Sequence, residues 1–398
     1  MHAHARVSIP LILAATLAAP LLAQAPASDA LEVTMSGYAQ LQFNTTSVSE
    51  DDVGGSVASS VFETRRVRLY ADVKMGGWLQ GRIQPEWAMG KFSLADVFMN
   101  FAIDPRFQIR MGQFKRPFNR FYLNPSTAIM TIERGIRIRE FDRAMGSELG
   151  DGDTPYTVVD GKSIHGDEHA ILNAMGLVGR DIGVAAHGRL GKAAYEVAVF
   201  NGNGPDALDT NAGKSFMTRL AYSPIDGVPL TLGAAMSYRE FHFGGSIDGV
   251  AVEPNDRSGT GFGFDVEWGR YGGNGIHVLA GITTGDNLYV DDGRILGAQG
   301  MVGYLVPLGG ARIEAIEVIG RASYGDPNTS RDGDQGILLT PGLNLYLGGR
   351  NRLLVNWDVY TPADDRLSTR HALRVQTQFM FGVPVGPPPV VAATGDDD

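Results

Sequence analysis

Between Pro105 and Arg143 the chain carries nine basic residues: Arg106, Arg110, Lys115, Arg116, Arg120, Arg134, Arg137, Arg139 and Arg143. Only Glu133, Glu140 and Asp142 oppose them, inside a chain of 398 residues whose formal net charge is −10. A guanidinium never loses its charge and offers a planar fork of donors that fits carboxylates and phosphates. Gathered in a narrow passage, such groups attract anions, as rings of Arg and Lys do in anion-carrying pores. A second arrangement is open to the same residues. They can pair with Glu133, Glu140, Asp142 and carboxylates elsewhere in the chain, which makes them structural.

Other chemistry is sparse. There is no cysteine, so disulfides and thiolate metal sites are excluded. No G-x-S-x-G elbow, phosphate-binding P-loop or nicotinamide fingerprint occurs. The stretch HGDEH places His165 and His169 beside Asp167 and Glu168; in a long loop these are expected to be solvated side chains rather than a metal cluster. The DGD stretches at 151–153 and 332–334 have oxygen ligands suited to calcium but lack the full EF-hand pattern. No metal and no cofactor is expected. The acidic balance argues against a nucleic-acid partner, which needs a basic face.

The elements that position the arginines read as strands. In LEVTMSGYAQLQFN, the residues Leu31, Val33, Met35, Gly37, Ala39, Leu41 and Phe43 alternate with seven more polar ones. RVRLYADVKM repeats the pattern, setting Arg66, Arg68, Tyr70, Asp72 and Lys74 on one face, and WLQGRIQPEW sets Gln80, Arg82, Gln84 and Glu86 on another. Period-two alternation over about ten residues is the signal of a strand that spans a membrane with one face to lipid and one to water. Further strands are predicted near 92–103, 106–115, 180–188, 192–200, 215–223, 229–243, 259–269, 275–283, 295–306, 311–323, 335–347, 352–360 and 370–381, sixteen in all. Short turns and long gaps alternate along the chain, with one brief link at Met89–Lys91 on the long-loop side and one very long excursion over 116–179. The fold class expected is therefore all-β: a transmembrane antiparallel β-barrel of about 16 strands, closed because lipid leaves no partner for an open sheet edge. Sixteen strands leave a water-filled lumen rather than a packed core.

The excursion is expected to fold inward as a constriction loop. Within it, STAIMTIERG predicts a short helix with Ser126 as N-cap and Gly135 as C-cap. GIRIRE alternates Ile136 and Ile138 with Arg137 and Arg139, which predicts isoleucines on the wall and arginines in the water. At the start of the chain, Arg6 and two histidines precede an apolar run and then small residues, so residues 1–27 are expected to be a secretory signal peptide. Residues 31–381 form the barrel, and 382–398, rich in proline, form a disordered tail.

Several of these stretches carry a likeness. GQFKRPF (112–118) with TIERG (131–135), GRDIGVAAHG (179–188), YEVAVFNGNG (195–204), IEVIGRASY (316–324), PGLNLYL and LRVQTQFMF (373–381) resemble the phosphate-selective porin O and P family. The resemblance spans roughly 31–381 and implies a trimeric sixteen-stranded channel in the outer membrane of a Gram-negative bacterium, passing anions by diffusion. It also implies a lysine cluster at the outer mouth and an arginine ladder inside. The six lysines here, Lys74, Lys91, Lys115, Lys162, Lys192 and Lys214, are scattered, so general anion preference is better supported than phosphate selectivity. The expectation is a non-enzymatic porin for small anions, phosphate among the candidates, set in outer-membrane lipid as a homotrimer. Its pore-lining residues are expected to be Arg66, Arg68, Arg82, Arg110, Lys115, Arg116, Arg120, Arg134, Arg137 and Arg139. The alternative is a weakly selective diffusion porin for other small solutes.

Overall fold

Polar and apolar residues that alternate can all be satisfied only if the two faces of a sheet meet different surroundings. A computed structural model describes residues 31–47, 58–137, 156–205, 212–348 and 351–382 and gives that arrangement. The chain starts with β1 (Leu31–Ser47), β2 (Ala58–Met75), β3 (Leu79–Ala88), β4 (Lys91–Asp104) and β5 (Phe107–Lys115). The long excursion follows, holding the helical turn α1 (Arg120–Leu123), the two-residue strands β6 (Val158–Val159) and β7 (Lys162–Ser163), and α2 (Glu168–Ala174). Then come β8 (Arg180–Leu190), β9 (Ala193–Phe200), β10 (Ser215–Tyr222) and β11 (Leu230–Phe243). A loop hairpin of β12 (Ser246–Ile247) and β13 (Val250–Ala251) precedes β14 (Asn255–Trp268), β15 (Gly275–Asp286), β16 (Arg294–Pro307), β17 (Ala315–Asp326), β18 (Gly336–Tyr346), β19 (Arg352–Pro362) and β20 (Arg370–Gly382).

Among the described residues, sixteen antiparallel strands close into one barrel, while β6, β7, β12 and β13 form a separate small sheet in the loops. Closure is the pairing of β1 with β20, where Gly37 faces Phe381. A Cβ at Gly37 would collide with the Phe381 ring, so the seam needs glycine there. The brief link between β3 and β4 is a tight turn with Met89 and Gly90 both at positive φ, the backbone of a two-residue hairpin turn. All predicted strands are present. The largest difference is β2, which begins at Ala58 rather than near Arg66. No helix among the described residues is long and apolar enough to cross a membrane.

Along β1, Ser36, Tyr38, Gln40, Gln42, Asn44 and Thr46 are buried inside, and Leu31, Val33, Met35 and Leu41 are exposed outside. The excursion after β5 runs into the barrel and occupies much of one side. Phe118, Ile171, Leu172, Met175 and Leu177 pack on Ala235, Phe241, Phe243 and Ile295 of the wall. Phe121 and Met130 pack on Leu279, Met301 and Ile319. A uniformly water-filled lumen is thus corrected: the inward faces of β11 and β15–β17 carry apolar residues where the loop brings apolar residues to meet them. The helix predicted over 126–135 is also absent, replaced by bends. Its carbonyls are bonded by wall side chains instead, described below, which removes the need for intrahelical bonds.

The signal-peptide segment 1–27, the tail from 383 onward and the DGD stretch at 151–153 lie outside the described residues.

Candidate functional site

The arginine-rich side of the lumen is built by β2, β3, β5 and β8 facing the inserted loop. The pairing of β1 with β2 slips at Gln40/Leu41, leaving Arg65 as an extra residue. A bulge of this kind re-aims side chains, and here Arg65 and Arg66 both reach inward to Glu133 of the loop. Arg65 donates from Nε and Nη2 at 2.6 and 3.0 Å. Arg66 lies 3.9 Å away and Arg137 3.8 Å away, and Gln42 donates at 3.1 Å. Burial opposes the charge of Glu133, but Arg65, Arg66 and Arg137 outweigh it and hold the carboxyl well below its usual range.

Most of the other predicted arginines also have carboxylate partners. Arg68 pairs with Glu86, Arg82 with Asp72 at 2.6 Å, and Arg110 with Glu196 at 3.3 Å. The Arg110 guanidinium also lies 5.2 Å from the ring centres of Phe98 and Phe114. Arg116 pairs with Asp181 at 2.6 Å. Arg120 pairs with Glu267 at 2.6 Å, and Glu267 in turn bonds His277 at 3.0 Å. Arg66, Arg68, Arg82, Arg110 and Arg116 are buried, whereas Lys115, Arg120, Arg134 and Arg137 are half-buried. Arg139 lies outside the described residues.

Two cations stand apart. Lys115 donates to the carbonyls of Tyr122, Leu123 and Asn124 at 2.7, 3.0 and 3.1 Å. Arg134 donates to the carbonyls of Phe121 and Asn124. Neither has a carboxylate partner among the described residues. Both sit over the Tyr122 ring, at 5.2 and 5.1 Å. Burial, with like charge from Arg68 and Arg180, brings Arg134 down to about 10, still protonated at neutral pH. Tyr122 in turn lines a cleft of about 400 Å³ between the loop and the wall, together with Arg116, Arg180, Arg239, Glu86 and Asn203. Arg180 is half-buried and pairs with Asp96 at 2.6 Å. Arg239 donates to the carbonyls of Met175 and Gly202 at 2.8 and 3.1 Å.

Two local expectations are corrected. Arg137 does not project into open water; its guanidinium forks onto Glu63 of β2, donating to Oε2 at 2.7 Å, because the bulge turns Glu63 inward with Gln42. Of the HGDEH side chains, His165, Asp167 and Glu168 are buried rather than solvated, and His169 is half-buried. Asp167 and Glu168 are wholly buried. Asp167 caps α2 and accepts from Ile136 and Ser323; Glu168 accepts from Thr283 at 3.2 Å and Gln299 at 3.3 Å. Burial, then repulsion from Asp167, pushes Glu168 up to about 8. Burial, then Arg134 and Arg321, holds His169 down to about 3, so it is neutral. No group of three or more His, Asp or Glu side chains is placed to hold a metal ion among the described residues.

Arg65, Arg180 and Arg239 were not among the predicted site residues. Strict alternation carried back from Arg66 turns Arg65 to the lipid face, and only the bulge reverses it. Arg239 stands at an inward position of β11, so alternation alone would have found it; Arg180 shares the parity of the outward Ile182 and Val184, and reaches inward only because it lies at the end of β8 beside Asp96. Arg321, Arg352 and Arg374, also inward, were likewise passed over. They hold the loop: Arg352 donates to the carbonyls of Ile129 and Thr127 at 3.0 and 3.1 Å, and Arg321 to that of Glu133 at 2.8 Å. Asn344 bonds the carbonyl of Met130 and Asn356 accepts from Ile132 N–H.

Comparison with known proteins places the chain in context. The family model described as phosphate-selective porin O and P matches residues 35–254. Among solved structures, an anion-selective porin from Comamonas acidovorans is similar with a TM-score of 0.53 at 14% identity, over 88% of this chain and 100% of the other. The outer membrane channel DcaP of Acinetobacter baumannii is similar at 0.52 and 10% identity, over 89% and 100%. Pseudomonas putida OprB is similar at 0.53 and 11% identity, over 88% and 94%. At these identities the structural likeness shows the fold alone. No curated protein matches the sequence.

Proposed function

The chain belongs to the phosphate-selective porin O and P family, and from that premise we propose that it is an outer-membrane porin that favours small anions. The family and the barrel point to a channel rather than an enzyme, in the outer membrane of a Gram-negative bacterium. The anion preference rests on one observation. In the cleft beside the loop, Arg116, Arg180 and Arg239 outnumber Glu86, and Arg134 behind Tyr122 makes its hydrogen bonds to main-chain carbonyls rather than to a described carboxylate. A positive potential in a narrow lumen raises the local concentration of anions, most strongly at low salt. Lys115, Arg120, Arg134, Arg137 and Arg180 are the half-buried cations an anion meets. Arg66, Arg68, Arg82, Arg110 and Arg116 set the potential from behind, and Arg139 continues the series in sequence. Phosphate is one candidate solute. The homotrimer follows from the family likeness and is tested by the mass of the detergent-extracted protein.

A weakly selective porin for other small solutes is the second reading, favoured by the close matching of arginines to Glu63, Asp72, Glu86, Asp181 and Glu196. The reversal potential of a planar bilayer under a KCl gradient separates the two. Arg134→Gln and Lys115→Gln are the informative variants, because each removes a cation without stranding a carboxylate. An anion preference that falls in both variants supports the proposal, and phosphate block of the chloride current then tests the solute. A reversal potential near zero supports the weakly selective reading, and a cation preference rejects the anion assignment.

A further inference from the structure

The loop from β17 to β18 reads DPNTSRDGDQ from Asp326 to Gln335. Its acidic residues are not alike. Asp332 is exposed, but Asp326 is 6% exposed and Asp334 0%. Both carboxylate oxygens of Asp334, and Oδ1 of Asp326, are shut off from solvent and meet no donor in hydrogen-bond geometry. The other Asp326 oxygen accepts a long bond, 3.4 Å, from the Tyr324 hydroxyl. A buried carboxylate with bare oxygens is strongly disfavoured, and such a group calls for an ion, a proton or a trapped water. Two of them close enough to repel each other raise that need.

The surroundings favour a hard cation. Asn328, buried between the two aspartates in sequence, turns the loop by accepting from the Ser330 N–H at 3.2 Å. The loop is held from outside by Asn287, which donates to the Pro327 carbonyl at 2.8 Å, and by Thr329, which donates to the Arg294 carbonyl at 2.8 Å. The carboxylate oxygens are thus fixed rather than free to swing into water.

We propose that Asp326 and Asp334 are the carboxylate ligands of a calcium-class divalent cation at the loop-side mouth of the barrel. An all-oxygen donor set suits Ca²⁺, with main-chain carbonyls and water completing the shell. Two carboxylates rather than three place the affinity in the weak range, with a Kd on the order of 10⁻⁴–10⁻³ M. The bound ion ties the β17–β18 loop to the end of β17. The site is independent of the charge preference of the pore.

Terbium luminescence tests it on the folded full-length barrel in detergent, since Tyr324 and Tyr156 stand close enough to sensitise Tb³⁺. The expected result is saturable emission that Ca²⁺ displaces and Na⁺ does not. Asp334→Asn should weaken binding by about tenfold or more, because one charged ligand of two is lost. Asp292→Asn, an exposed acid of the neighbouring loop, should leave it unchanged. No saturable emission, or equal emission from Asp334→Asn, overturns the proposal and leaves a proton or trapped water between the carboxylates. If Asp334→Asn does not fold, the thermal midpoint of the unmodified protein decides. A rise with CaCl₂ over EDTA supports the site, and an unchanged midpoint rejects it.

Discussion

Along β2, β3 and β8 the inward arginines face carboxylates of their own wall, as Arg82 does Asp72 and Arg180 does Asp96. Along β10, β11, β17, β19 and β20 they reach across to main-chain carbonyls of the inserted loop. Arg219 donates to Phe118, Arg239 to Met175, Arg321 to Glu133, Arg352 to Ile129 and Arg374 to Arg137. The first wall holds charge in place next to an open cleft. The second holds a loop in place against apolar residues. One side-chain type does both because a guanidinium has five donors and can satisfy either a carboxylate or several carbonyls. Irregular backbone inside a barrel needs such donors, since its carbonyls have no ladder to join.

The comparison can be broken most severely at Asp358. It accepts from Arg321 at 3.1 Å, Arg374 at 2.7 Å and Thr340 at 2.6 Å, all buried. Asp358→Ala strands two buried guanidiniums and should cost about 3–5 kcal/mol, read as a lower unfolding midpoint in denaturant. Arg352→Met leaves the Thr127 and Ile129 carbonyls bare in a site that is 0% exposed. The expected loss is about 2 kcal/mol, and single-channel recordings should show a noisier, larger conductance as the loop loosens. If stability and noise are both unchanged, the second wall is not what holds the loop.

A smaller effect sharpens the contrast through pH. Glu168 is raised to about 8 in the folded protein, so between its unfolded value and 8 the folded state binds the extra proton. Stability therefore falls as pH rises through that window, by about 1.4 kcal/mol per pH unit at most, and levels off above 8. Glu168→Gln should flatten the profile measured by unfolding from pH 5 to 9. The least costly change is Arg134→Gln on the charged wall. It should lower the anion-to-cation permeability ratio by a factor of about five or less, the equivalent of ~1 kcal/mol for one charge near water, with little change in unfolding midpoint.

Much of the barrel was legible before any coordinates. Alternation located the wall strands, because the pleat fixes side-chain direction with a period of two and a one-residue error would turn every residue over. The same rule placed Arg66, Arg68, Arg82 and Arg110 inside. Carried back past Arg66, the same rule would turn Arg65 and Glu63 to the lipid, because a bulge at Gln40/Leu41 shifts the period locally and leaves no mark in composition. The inward excursion is legible as one very long connection, but STAIMTIERG carries helix-capping signals without forming a helix. Local capping signals could not anticipate that Arg352, Asn344 and Asn356, more than two hundred residues away, would bond its backbone.

By itself, then, the sequence determined what the pleat and the lipid impose: strand number, the face most wall residues take away from bulges and strand ends, and which connections are long. Only the tertiary structure decided which arginines stay available to an anion. That depends on partners distant in the chain, such as Glu196 for Arg110 and Glu267 for Arg120. Electrostatic pairing acts over a few ångströms in space and is blind to separation along the chain, so no local pattern can encode it.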